Sequence, residues 1–206
     1  MSAEHDIRTV DQLRAIVGEA SPVTPVKILA ALDPTMQEFI RRSPFLVLST
    51  ADAERRQEAS PKGDTAGFVA IEDEHTLLIP ERKGNRLVMG LRNILANPHV
   101  GLLLMIPGTP ETLRVNGRAE LTRDPEVCAR LAARGQPAIL AIRVRVEECF
   151  FHCGKAFLRA DLWKPETWPE RHRISFGKML APRIGADDSV AAAIDQMIDE
   201  DYRTNL

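Results

Sequence analysis

A chain of 206 residues, 44% of them hydrophobic, suits one domain with a substantial core. Its 27 Lys and Arg are matched by 29 Asp and Glu, for a net charge of −2, which argues against a general nucleic-acid binder. No apolar run approaches the roughly 20 residues needed to span a bilayer, and MSAEHDIRTV lacks a signal peptide's apolar core, so a cytoplasmic protein away from the membrane is expected.

In chain order, Val10, Leu13, Ile16 and Val17 recur at helical spacing and predict a first helix. Residues 27–32 suggest a short second one, and Asp33 followed by Pro34 starts a third with Met36, Phe39 and Ile40 on its buried side. From residue 45 the pattern changes to strands, at 45–50, 57–62, 68–72, 76–79, 99–106, 112–122 and 139–151. The connections at 51–56, 72–75 and 107–111 are too short for parallel crossovers, so antiparallel neighbours are expected. Six or seven closely spaced strands suggest a barrel. The GxGxxG and GxxxxGK[ST] phosphate loops are missing. Helical patterns return at 125–134, with Cys128 beside Val127 and Leu131, and at 189–202. In the latter, Val190, Ile194, Met197, Ile198 and Tyr202 share a face, and Asp187 or Asp188 is placed to cap. The expectation is a single domain over 1–206: a helical extension (1–42), a barrel core (43–165) and a C-terminal helical segment (166–206).

The chemistry concentrates where these elements turn. Leu77-Leu78-Ile79 breaks at Pro80 into Glu81-Arg82-Lys83-Gly84-Asn85-Arg86, followed by a helical pattern with Leu87, Leu91, Ile94 and Leu95 on one side, which Asn97-Pro98 ends. Backbone N–H groups at a helix start, reinforced by guanidinium and ammonium groups, form a ready phosphate site. Arg82, Lys83 and Arg86 fall within that entry, Gly84 allows close backbone approach, and Asn85 is placed to cap the helix. The competing reading is a solvated basic turn. Further on, strand alternation puts Thr112, Arg114 and Asn116 on one face. The last strand delivers His152 and Lys155, with Trp163 following. There His152 would donate a proton or hydrogen bond to substrate, Lys155 would hold an anionic group and Trp163 would stack on an aromatic ring. Against this, a strand-end histidine is commonly structural, and Trp163 and Trp168 can serve to seal the barrel. Cys128, Cys149 and Cys153 read as reduced thiols. Cys149 and Cys153 would share a strand face that His152 does not, so no metal site is expected.

Residues 43–165 resemble the pyridoxamine 5'-phosphate oxidase-related, FMN-binding split-barrel family. The resemblance rests on SPFLVLST at 43–50, ASPKGD at 59–64, GNR at 84–86, LRNILANP at 91–98 and TLRVNGRA at 112–119, in that order. It implies a mainly β (α+β) fold, a six- to seven-stranded antiparallel Greek-key split barrel with flanking helices. It also implies a homodimer with FMN across its interface and a small-molecule substrate for an FMN-dependent oxidoreductase. In this sequence Arg86, with Asn85 and Arg82 or Lys83, would meet the FMN phosphate. Lys62, on the strand before the Gly63-Asp64 turn, would lie beside the flavin ring, Thr112 and Arg114 would face the ring or the partner's cofactor, and Asp64 and Trp163 would be further cofactor contacts. His152 and Lys155 would be the catalytic pair. The chain departs from true pyridoxamine-phosphate oxidases at Ala59-Ser60-Pro61, where they carry a phosphate-binding arginine, and at its acidic helical C-terminus, where they end in a strand bearing Arg and His. These departures point away from vitamin B6 oxidation. A non-catalytic flavin-storage protein, or a relative carrying haem or F420 on the same barrel, stays open.

Overall fold

The computed structural model describes residues 5–205; Met1 to Glu4 and Leu206, which belong to the expected 1–206 domain, lie outside the described residues. The strands are β1 (Phe45–Ala51), β2 (Gln57–Gly63), β3 (Ala70–Asp73), β4 (Thr76–Glu81), β5 (His99–Met105), β6 (Thr112–Thr122) and β7 (Leu140–His152). They form one antiparallel sheet in the order β2-β1-β5-β6-β7-β4-β3. Alternation decides which face closes on the core: Leu46 and Leu48, then Val100, Leu102 and Leu104, then Leu113, Val115 and Ala119 point inward, joined by Ile142 and Val144. The helices are α1 (Val10–Val17), α2 (Pro34–Arg42), α3 (Met89–Ala96), α4 (Pro125–Arg130), α5 (Lys155–Arg159), α6 (Phe176–Leu180) and α7 (Asp188–Thr204). Among the described residues, no helix is long and apolar enough to cross a membrane.

The sheet curls but does not close. Lys62 on β2 leads through its register partners Leu46, Leu104 and Leu113 to Phe151 on β7. Yet Lys62 also touches Glu81 of β4, whose partner on β7 is Leu140, eleven positions before Phe151. Such a stagger is what strand tilt imposes when a sheet rolls into a barrel. β2 and β4 face each other without a backbone ladder, so the barrel is split along that seam. Pro61 in β2 and Pro80 in β4 both lack an N–H to offer there. The β6–β7 pair bends at a register shift after Asn116, where a Cβ on Gly117 would sit 2.0 Å from the Arg145 carbonyl oxygen. Only glycine fits that approach.

α2 plugs the core with Met36, Phe39 and Ile40, its start capped by Asp33 accepting from the Met36 N–H at 2.8 Å. Phe39 meets Phe151 edge-to-face at 5.4 Å. Residues 27–32, expected to be helical, are not: after a 3-10 turn at Pro25–Lys27, Leu29 bridges Cys149 through two backbone hydrogen bonds of 3.0 and 2.8 Å. β4 reaches only to Arg145 on β7, and the ladder edge left beyond it takes Leu29 instead of letting it coil. α3 begins at Met89, later than its pattern, behind Val88 in the left-handed region (φ 49°). Leu87 therefore lies in the loop, and Leu95 points out because Ile94 points in. Asn85 does not cap the helix; its Oδ1 accepts from the Leu87 N–H at 3.0 Å within the loop. α4 stops before Arg134, which turns through φ 50°. At the C-terminus Asp187 caps α7, and α6 packs on it through Gly177 against Ala191. β7 ends at His152, so Cys153 leaves the strand and is exposed while Cys149 is buried, its thiol pKa pushed up to about 11 by that burial.

Candidate functional site

The seam gathers charge because inward positions of β2 are polar. Glu58, Ser60 and Lys62 alternate with the exposed Ala59 and Pro61. On the opposite lip β4 ends in Glu81 and runs on into Arg82 and Lys83. Lys62 Nζ donates to Glu81 Oε2 at 2.6 Å, its side chain only 16% exposed. One step further Asp64, with its side chain 2% exposed, accepts from Arg82 Nε at 2.9 Å, from Arg134 Nη1 at 3.4 Å and from the Thr65 N–H at 2.8 Å. Burial alone would raise the Asp64 pKa, but the Thr65 N–H and the Arg82 and Arg134 guanidiniums outweigh it and hold the carboxyl below its ordinary range. Arg82 Nη1 is buried and has no hydrogen-bond partner, the one such side-chain atom among the described residues.

Three cavities meet around this loop. A groove of about 360 Å³ runs between the seam strands, walled by Ser60, Lys62, Gly63, Glu81, Arg82 and Asn85. A pocket of about 130 Å³ continues from it under the start of α3, where Glu58 faces Gly90. Asn93 donates to Thr50 at 3.1 Å and Thr50 to Glu58 at 3.3 Å, which fixes that carboxylate. On the other flank of Arg82 and Lys83 lies a cavity of about 830 Å³, within the size range of small-ligand sites. Arg123, Arg134 and Gln136 line it, with Cys128 and Ala129 from α4 and Thr204 and Asn205 from the end of α7; among the described residues no Asp or Glu lines it.

Of the residues singled out from the sequence, Lys62, Asp64, Arg82, Lys83 and Asn85 come together at the seam. Arg86 is exposed at φ 61° and lies outside the walls of these cavities. Thr112 and His152 are register partners at the far end of β7, twelve residues or about 40 Å of extended strand from Leu140, the partner of Glu81. Thr112 is buried, whereas Arg114 on the same face is exposed with its guanidinium 5.9 Å from the Phe150 ring. Lys155 is exposed at the start of α5. Trp163 donates to the Thr109 carbonyl at 3.0 Å and stacks on Phe157 at 5.6 Å, so both its ring face and its N–H are engaged within the fold. None of this second group lines the groove or the two cavities beside it. Sequence reasoning missed Glu81, Arg123 and Arg134. For Arg134 the available signal was Arg134-Gly135 at the end of a helical pattern, a place where a chain turns back.

A family model described as pyridoxamine 5'-phosphate oxidase matches residues 32–153. No curated protein sequence matches the chain. Among solved structures, Group A Streptococcus HupZ is 18% identical with a TM-score of 0.48, covering 58% of this chain and 93% of its own. General Stress Protein 26 from Bacillus anthracis is 16% identical with a TM-score of 0.44, over 56% and 88%. HutZ of Vibrio cholerae, a heme storage protein, is 19% identical with a TM-score of 0.42, over 59% and 94%.

Proposed function

Because the chain belongs to the pyridoxamine 5'-phosphate oxidase family, we propose that it binds FMN in the seam between β2 and β4 and acts as an oxidoreductase on a small organic anion. The observation that carries the reading is Arg82, which lines both the groove and the larger cavity and keeps a buried Nη1 donor without a partner. A phosphate oxygen would satisfy it, and a charge-assisted bond of that kind is among the stronger ones a protein makes. Lys83 and Asn85 stand beside it in the same wall, so the donors suit a phosphate monoester. Bound there, FMN supplies the two-electron chemistry, which the protein itself does not have to perform.

The chain's own groups then have defined tasks. Asp64 fixes the Arg82 guanidinium through Nε and leaves Nη1 to the ligand. Glu81 orients the Lys62 ammonium, which places a cation on the groove wall for negative charge on a bound ring. The 830 Å³ cavity shares Arg82 and Lys83 with the groove and adds Arg123 and Arg134, which favours an anionic substrate next to the cofactor. In the same reading the protein is a homodimer, and Thr112, Arg114, His152, Lys155 and Trp163 serve the partner's site. The absorption spectrum of freshly purified protein, with mass spectrometry of whatever is released on denaturation, tests the proposal. Two oxidised-flavin bands and released FMN are expected; a colourless protein that also fails to bind added FMN overturns it.

A further inference from the structure

The cavity of about 830 Å³ beside the seam joins two surfaces of different kind. Its cations are Arg82, Lys83, Arg123 and Arg134. Arg82 and Arg134 share the carboxylate of Asp64, whereas Lys83 and Arg123 have no ion-pair partner among the described residues. Much of the remaining wall is apolar: Pro125, Ala133, Pro137 and Ile139, the last 49% exposed although it is a large aliphatic side chain. Apolar surface inside a concavity suits the body of a ligand, with a few polar groups left to fix its orientation. The end of α7 closes one side, and its side-chain donors are turned back onto the helix. Thr204 donates its hydroxyl to the Glu200 carbonyl at 2.9 Å, and Asn205 Nδ2 donates to Asp201 Oδ1 at 2.7 Å. A helix C-terminus also carries partial negative charge, which leaves an acid group to the barrel side.

We propose that this cavity takes a monocarboxylate with an apolar body, its carboxylate held by Lys83 and Arg123. The inference rests on the FMN reading above, because charge makes the choice. Four cations less the one carboxylate of Asp64 leave three positive charges, and an FMN phosphate dianion on Arg82 offsets two of them. One remains, which matches a monoanion. A phosphorylated substrate would bring a second dianion beside the first, and like charges so placed oppose binding.

Isothermal titration of the FMN-loaded full chain at about pH 8, where a phosphate monoester is a dianion, tests this with 4-phenylbutyrate, 3-phenylpropyl phosphate and acetate. The longer acid should bind at least about 10-fold tighter than the ester and roughly 100-fold tighter than acetate, which has the charge without the body. Arg123→Met should weaken 4-phenylbutyrate by about 10-fold or more while the absorption spectrum shows FMN still bound, since Arg123 does not line the groove. A chain that takes up no FMN overturns the seam reading and the choice of a monoanion together. An FMN-loaded chain that binds the ester or acetate as tightly as the longer acid, binds none of the three, or ignores Arg123→Met overturns this inference alone.

Discussion

Replacing Arg82 with Met removes one guanidinium from the seam while keeping most of the side chain's bulk. If Nη1 meets the FMN phosphate, the variant loses a charge-assisted bond of about 1.5–3 kcal/mol, a roughly 10- to 150-fold rise in Kd. The same change leaves the buried Asp64 with only the more distant Arg134 and the Thr65 N–H, which lowers stability as well. The two effects separate if FMN affinity is titrated by quenching of flavin fluorescence at a temperature where circular dichroism shows the variant folded. Arg86→Met is the control, because Arg86 lies outside the cavity walls; its expected change in Kd is under about threefold. An Arg82→Met variant that is folded and binds FMN within threefold of wild type refutes the assignment. A large loss in Arg86→Met instead would mean that the loop closes over the phosphate.

Asp64→Asn should cost about 2 kcal/mol at neutral pH by leaving two guanidiniums without their carboxylate. Since the folded-state pKa of Asp64 is depressed, its contribution is present above the unfolded value near 3.9 and is lost as pH falls through the folded one. The stability gap between wild type and variant, read by urea unfolding, should therefore narrow below about pH 4 and stay level above pH 6. Lys62→Met leaves Glu81 unpartnered in the groove and should cost about 1–2 kcal/mol, while Lys62→Met/Glu81→Met should recover to within about 1 kcal/mol of wild type in the same assay. Gly177→Ala places a Cβ 1.8 Å from the Ala191 carbonyl oxygen, so α6 and α7 must part. Faster hydrogen exchange confined to that pair is expected, with the barrel amides unchanged.

The strands were legible because one face of each is apolar and the connections are short. Period-two alternation in Val100, Leu102 and Leu104 survives into the structure unaltered. The Asp33-Pro34 helix start was equally plain, since a capping carboxylate and a proline at the first turn act locally. What failed depended on distant partners. Within 27–32, Leu29 is held by the free edge at Cys149, more than a hundred positions away, which no local pattern announces. Leu87 and Leu95 fit a helical stripe on paper, but α3 starts two residues later and rotates them outward. For the site, Lys62 and Asp64 were found through resemblance and Arg82 and Lys83 through composition. Their ion-pair partners were not, because Glu81 and Arg134 reach them only through the tilt of the barrel and the turn after α4.

The two prolines at the seam bear on how the open sheet avoids pairing with another chain. An unclosed sheet exposes edges that would recruit any extended segment, including one from another copy, into a growing ladder. Pro61 and Pro80 break the run of donors on the facing edges, and Lys62 and Glu81 add charge beside them. The opening that could admit a small molecule is thus a poor template for a strand, and guards against fibre growth without being shut.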